Sequence, residues 1–560
     1  MTRNRKFFKI NIVSLLLLAI GIVLLSGCSD LQIIMDREEY IPDVSVNSKI
    51  YSNDYILDEG PVEGGSVRIY ATKPDTFNPL LTKNIYVREI TGLVYEGITR
   101  INSSLEAEYS LAESWTTSED GLTWTIELKK DLFWHDGKPF SADDVIETVR
   151  RIRNYGTNCP YFESVTNIKG ISATSESQLV LKLHKVNSFT PEMLAFPIVP
   201  KHIDIDELNS IDFSPDISRA MIGTGPYKNS TYRSGESITL IENTAHKEKP
   251  YIKNVTFVFY DTSISALSRF REKEVDAFIS KNIEYFRYKD STEMQIKRYS
   301  DREFEMLAFN CQNSFINAKV RYAISKMIDR SDLVKTELNG RGIEAELPVP
   351  PDSWLYDLGY VPSLYDPETG KRLLEENGFR LENGVYYRNA NGQKRRLELR
   401  LLVNMENSDH INVAQRIALK LSEHGIIIHI VPEKYDTLVQ KISERDFDIA
   451  FVSYRVQAFP DLTELYSTSY FRDNNQLNVA GYQNEEVDRL ARELYIEHDK
   501  WNRQNTFLEL AAIIENDWPY IGLYFQASTL VMENEIKGDI TPNVWNPYSQ
   551  LEKWYITDYR

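Results

Sequence analysis

The chain has 560 residues, enough for several hydrophobic cores, because single cores stop growing near ~250–300 residues. Hydrophobic content of 42% and charged content of 26% are ordinary for a folded globular protein. A formal net charge of −18 argues against nucleic acid or an anionic membrane surface as partner, since both would repel it.

In chain order, the first signal is a leader. Arg3, Arg5, Lys6 and Lys9 form a positive head, Ile12 to Leu25 is almost wholly apolar, and Ser26-Gly27 precede Cys28. A basic head, a short apolar run and a small-residue exit are the layout of a secretory signal peptide over residues 1–27. The apolar run is shorter than the ~20 residues of a spanning helix. Leu25-Ser-Gly-Cys28 resembles the lipobox of bacterial lipoproteins, which implies an acylated Cys28 at the mature N-terminus and a body lipid-anchored on the extracytoplasmic face of the cell membrane. Residues 28–64, acidic and ending in Glu59-Gly-Pro-Val-Glu-Gly64, read as a tether.

Strand-like and helix-like segments then alternate. Trp124-Thr-Ile-Glu-Leu128 has period two, as a half-buried strand would. Ser141-Ala-Asp-Asp144 opens a helix with Val145, Val149 and Ile152 on one face. Val255 to Tyr260 reads as a strand, and Val320, Ala323, Ile324, Met327 and Ile328 as a helical stripe. Asp366-Pro367 opens a helix that Asn377-Gly378 closes. The strand Leu397–Leu401, a helix over Ile411–His424 ended by Gly425, and a buried strand over Ile426–Val431 make a strand–helix–strand unit of a parallel sheet. Asn484 caps one more helix.

Catalytic motifs are missing. The eight histidines are dispersed, no cysteine pair has zinc spacing, and His424 with His429 straddle a helix–strand junction rather than form a metal site. No Gly-x-Ser-x-Gly elbow or phosphate-cradling loop is present. Gly223-Thr-Gly-Pro-Tyr227 is expected to be a tight turn, because Pro226 removes a donor a phosphate would want. Paired carboxylates have no local spacing rule, so an enzyme stays open on the residues alone. With Cys28 assigned to lipid, Cys159 and Cys311 remain, and their pairing is not legible. The 33 tyrosines and 8 tryptophans suit a large polar-aromatic cavity, although core packing uses the same residues.

Several motifs then combine. Leu111-Ala-Glu-Ser-Trp115, Ser118-Glu-Asp-Gly121, His135-Asp-Gly-Lys-Pro-Phe140 and Ser141-Ala-Asp-Asp-Val145 come first. Gly223–Tyr227, Asn310 through Val320-Arg321 to Asp329-Arg330, Asp366-Pro367 to Gly378-Phe379, Asn478 with Gly481-Tyr-Gln-Asn484, and Asp517-Trp-Pro519 before Leu523-Tyr524 follow in order. Together they resemble the family 5 extracellular solute-binding proteins, the oligopeptide- and dipeptide-binding components of ABC importers. Turn chemistry around His135-Asp-Gly makes that histidine structural, and Trp115 and Trp124 read as core.

The resemblance implies an α/β, periplasmic-binding-protein-like two-lobed clamp of type II with an extra inserted subdomain. Lobe I is expected over 65–92, 196–302 and 520–560, the insertion over 93–195 and lobe II over 303–519. It implies no enzyme, cofactor or metal. The partners it implies are a peptide or peptide-like ligand between the lobes, a membrane ABC permease, and the bilayer through Cys28, with the protein a monomer. The ligand would lie as an added strand. Its matching edges are Lys73-Pro74-Asp75 on lobe I and Ser453-Tyr454-Arg455-Val456-Gln457 on lobe II.

One position departs from the pattern. Peptide binders of the family carry an aspartate a few residues after the aromatic at the place of Tyr454, paired to the ligand's α-ammonium, and here Gln457 stands there. Gln accepts a hydrogen bond but cannot neutralise a cation. Asp461 and Glu464 lie close enough to stand in, and Arg455 would suit an acidic group. Gln457→Asp is expected to strengthen binding of free-amine peptides. A blocked, modified or cyclic peptide, or a non-peptide solute such as an oligosaccharide or metal chelate, becomes an alternative. A peptide-sensing receptor and an extracellular hydrolase are the other readings.

Overall fold

The computed structural model describes residues 60–209, 217–390, 392–457, 461–472 and 477–557; the leader and Cys28 lie outside them. Alternating apolar residues make the strand Asn254–Tyr260, whose Val255, Phe257 and Phe259 face a core. It runs parallel to Ser66–Thr72 in unbroken register, from Ser66 opposite Asn254 to Thr72 opposite Tyr260. The antiparallel pair Tyr227–Arg233 and Ser237–Glu242 extends that edge, and Ala277–Ser280 lies on the other side. This is the sheet of the first lobe.

In the second lobe, Glu398–Asn404 runs parallel to Ile427–Glu433 and to Ile449–Arg455, with the helix Ser408–Glu423 crossing between the first two. That is the expected strand–helix–strand unit. The helix starts earlier than the apolar stripe suggests, because Asn407 accepts from the N–H groups of Asp409 and His410. Ile427–Glu433 is not the buried strand expected there: it is the sheet's outer edge, and its residues are half-buried or exposed. An edge has a neighbour on one side only, so the apolar run marked one covered face.

Two long strands, Gln295–Phe309 of 15 residues and Tyr520–Met532 of 13 residues, pair antiparallel and run through both lobes. A usual strand has about 5–6 residues. They join the main strands of both lobes into an 11-stranded sheet. Ser300 pairs with Ala527 and the next pairing is Phe304 with Phe525, so Asp301 to Glu303 stand opposite Gln526 alone. Such a bulge breaks the ladder and concentrates bending where the lobes meet. Beyond it, Phe304, Met306 and Ala308 enter one core while Leu307 and Phe309 enter another on the opposite face.

The first lobe carries a separate four-stranded antiparallel sheet, in the order Ala112–Thr117, Thr123–Leu128, Gln178–Leu183, Ile168–Ser175. The helix Ala142–Tyr155 packs Val145, Val149 and Ile152 beneath it, and the Asp144 carboxylate accepts from the Ser141 N–H at 2.8 Å. Trp124 is buried and Trp115 half-buried.

Gly223–Tyr227 is the expected turn. A side chain on Gly223 would meet the Val94 carbonyl oxygen at 1.8 Å. His135 is bound to the same turn: its Nδ1 accepts from the Gly223 N–H at 3.2 Å and its Nε2 donates to the Gly225 carbonyl at 3.0 Å. Burial lowers its pKa to about 4, so it serves as a neutral strut. Cys159 and Cys311 are both free thiols.

Candidate ligand cleft

Between the lobes lies a cavity of about 1230 Å³, larger than the ~300–1,000 Å³ usual for small-molecule sites. Its walls come from distant parts of the chain. The helix Ile85–Gly92 supplies Arg88 and Glu89, the inserted subdomain supplies Tyr161 and Glu192, and the bulged crossing strand supplies Tyr299, Asp301 and Arg302. The second lobe contributes Arg455, Gln457, Asp461, Glu464 and Tyr495, and the C-terminal segment Trp545 and Tyr548.

Of the positions expected to touch a ligand, Arg455, Gln457 and Asp461 line this cavity, whereas Lys73, Pro74, Asp75, Ser453, Tyr454 and Val456 are not among its lining residues. Lys73 continues the Ser66–Thr72 strand: its N–H donates to the Tyr260 carbonyl at 3.0 Å and its carbonyl accepts from Asn84 at 2.9 Å. Its ammonium pairs with Asp261 at 2.6 Å. The Asp75 carboxylate organises the next loop, accepting from Thr76 N, Thr82 Oγ1 and Lys83 N at 2.9, 2.6 and 2.8 Å. A ligand backbone finds no open partner in Lys73.

On the second lobe the strand alternates in the same way. Ser453 donates to buried Glu305 at 2.6 Å, and Tyr454 donates to Glu464 at 2.8 Å. Val456 is buried, and both its backbone groups bond to Arg302. Arg455 reaches Glu303 at 2.7 Å, so its charge is already balanced. Asp461 holds the start of the short helix Thr463–Tyr466 through the Thr463 N–H at 2.9 Å and hydroxyl at 2.5 Å.

Electrostatics in the cleft are set by burial. Desolvation, then the neighbouring Arg455, lowers the Arg302 pKa to about 10. Burial raises Glu89 to about 8 and pushes Glu192, Glu464 and Glu552 upward. Asp301 is paired with Lys281. The sequence reasoning above missed Glu89, Tyr299 and Arg302. The available signal for Glu89 was a carboxylate on the same buried helical face as Tyr86 and Ile90. Among the described residues no group of His, Cys, Asp and Glu is arranged to hold a metal ion.

The arrangement places a crevice between two lobes joined by paired strands, with mixed charge and aromatic walls. Comparison with known proteins agrees with that geometry. The chain is 25% identical over 512 residues to the oligopeptide-binding protein AppA of Bacillus subtilis (strain 168), covering 89% of this chain and 92% of that one. It is 24% identical over 459 residues to the nickel-binding periplasmic protein of Escherichia coli (strain K12), covering 79% and 86%. The solved ABC transporter substrate-binding protein CtaP of Listeria monocytogenes superposes with a TM-score of 0.67 at 23% identity, over 89% of this chain and 100% of that one. Residues 106–476 match the family described as bacterial extracellular solute-binding proteins, family 5 Middle. The chain therefore belongs to the family 5 bacterial extracellular solute-binding proteins.

Proposed function

We propose that this protein is the substrate-binding lipoprotein of an ABC importer, anchored through acylated Cys28. It captures a peptide or peptide-like solute between its lobes and hands it, chemically unchanged, to a membrane permease. The observation that carries this reading is the cavity of about 1230 Å³ walled by both lobes and crossed at its base by two bulged strands. Closure about those strands would enclose the guest, a hinge transition of the kind that two-lobed binding proteins use. Relatives named for oligopeptides support the ligand class, and a relative named for nickel keeps a non-peptide solute as the alternative.

The lobes are placed at 65–92, 196–302 and 520–560 for the first, with 93–195 inserted, and at 303–519 for the second. Core packing supports most of this division, since Val67, Phe257, Val145 and Trp554 share one cluster and Leu307, Leu401 and Trp518 another, but Tyr520 to Phe525 pack with the second lobe and the crossing of that strand falls after them. Native mass spectrometry of the gently purified protein, with melting curves against a peptide pool, tests the function. A bound solute should be retained intact, and ligand at 100 times its dissociation constant should stabilise the protein by about 2.7 kcal/mol. Turnover of the solute, or melting that responds to no peptide, would overturn the reading.

A further inference from the structure

The helix Ile85–Gly92 turns Tyr86, Val87, Ile90 and Thr91 inward, and Glu89 goes with them. Glu89 is 8% exposed, yet it lines the cleft. It accepts no hydrogen bond and joins no ion pair among the described residues, so the influences on its charge are burial and neighbouring Arg88. Arg88 lines the same cleft and favours the charged form, but it makes no ion pair with Glu89.

Tyr299 on the crossing strand, Tyr548 in the C-terminal segment and Tyr161 in the inserted subdomain line the same cleft, and the Glu89 charge is felt at each of their phenols. The Tyr548 hydroxyl also lacks a partner. Of the other cleft acids, Asp301 is paired with Lys281, Glu464 accepts from the Tyr454 hydroxyl and Asp461 from Thr463, while half-buried Glu552 and the more exposed Glu113, Asp131 and Glu163 have no ion pair among the described residues. Glu192, also buried, has the Arg503 guanidinium near. A buried carboxyl with no partner is costly, and its retention in a ligand crevice calls for a partner from outside.

We propose that Glu89 is the cation receptor of the cleft, taking an alkylammonium group of the bound solute beside Tyr299 and Tyr548. This rests on the reading of the protein as a binder of peptide-like solutes, and it places on the first lobe the carboxylate that Gln457 does not provide on the second. A free α-amino group and a lysine-type side chain both present the required chemistry.

The ionisation follows. Without ligand, burial holds the Glu89 carboxyl up to about 8, so at neutral pH it is mostly protonated. An arriving ammonium ion favours the carboxylate, and the proton leaves to solvent. Affinity for ammonium-bearing ligands therefore rises with pH from neutral toward about 8, and falls once the amine itself loses its proton.

Calorimetry on the full-length protein in detergent tests this with three probes: Ala-Ala-Ala-Ala, its N-acetyl form, and N-acetyl-Ala-Lys-Ala-Ala. The expected result is that one or both ammonium-bearing peptides bind roughly 10- to 100-fold tighter than N-acetyl-tetraalanine, the size of a charge-assisted bond. Glu89→Gln removes that margin, read as the ratio of each ammonium-bearing peptide to the acetylated one on the same variant. Tetraalanine alone showing the margin identifies the α-amino group; the acetylated lysine peptide alone identifies the side chain. Independently of any variant, wild-type titrations at pH 7 in two buffers of different ionisation heat should show close to one proton released per ammonium-bearing ligand. A margin that survives Glu89→Gln, equal weakening of all three probes, or no proton release overturns the assignment while the importer reading stands. Failure of all three probes to bind the wild type overturns the assignment and the peptide reading together.

Discussion

Arg302 donates from Nε to the backbone carbonyl of Val456 at 2.8 Å, and the Val456 N–H returns a bond to the Arg302 carbonyl at 2.9 Å. The same guanidinium lies 4.5 Å from the ring centre of Trp545 and reaches the Gln457 amide oxygen at 3.4 Å. One side chain thus ties the bulge of the crossing strand to the C-terminal segment and to the second lobe's cleft wall.

That geometry revises what Gln457→Asp should do. The new carboxylate falls beside Arg302, whose charge burial already disfavours. It should pair there, raising stability by about 1 kcal/mol and leaving affinity for free-amine peptides within a factor of about 2. Melting temperature and calorimetric affinity, measured on the same variant, check both halves.

Glu305 is fully buried and accepts from Ser453 Oγ at 2.6 Å, Gln526 Nε2 at 2.7 Å and His410 Nε2 at 3.0 Å. The carboxylate links both crossing strands to the strand Ile449–Arg455 and the helix Ser408–Glu423. Glu305→Ala leaves buried His410 and half-buried Gln526 without their acceptor, while Ser453 is exposed to water, and should cost about 1–3 kcal/mol in urea denaturation.

Gly223→Ala should cost about 3 kcal/mol or abolish folding, because the added methyl would meet the Val94 carbonyl oxygen at 1.8 Å. The obstacle is backbone, which no rotamer change clears. Thermal melting reads the loss directly.

A fourth expectation concerns pH. Burial raises the Glu515 carboxyl to about 7 from an ordinary 4.5, with Tyr360 donating to it and Glu346 adding like charge. The folded state binds this proton more tightly than the unfolded chain. Its contribution to stability is therefore whole below about 4.5 and is lost as pH rises through about 7. Glu515→Gln should flatten the decline of melting temperature across that window; an unchanged slope would count against the assignment.

Local rules reached far into the fold. Asp366 and Asn484 cap the helices they announce, accepting from Thr369 N and from Glu486 and Val487 N, because a cap is set by its own few residues. The parallel strand–helix–strand unit was legible for the same reason. What could not be read was which backbone groups remain open after folding. Lys73 looks like a free edge in sequence, but Tyr260 and Asn84, from other segments, take both its backbone groups. Glu89 looks like an ordinary helical charge until the fold brings Tyr299 and Tyr548, from distant segments, to line the same cleft. Such facts belong to contacts between distant segments, which spacing and periodicity do not encode.

The second long strand has a consequence for biosynthesis. Met532 pairs with Ala277, Leu530 and Trp554 lie in one core with Val67, and Tyr520 pairs with Ala308. A ribosome delivers these late residues after almost everything they must complete. Neither lobe can close its sheet until Met532 has been synthesised, so the earlier strands must stay unaggregated while they wait, and a premature stop before Tyr520 would leave two unfinished lobes rather than one intact one.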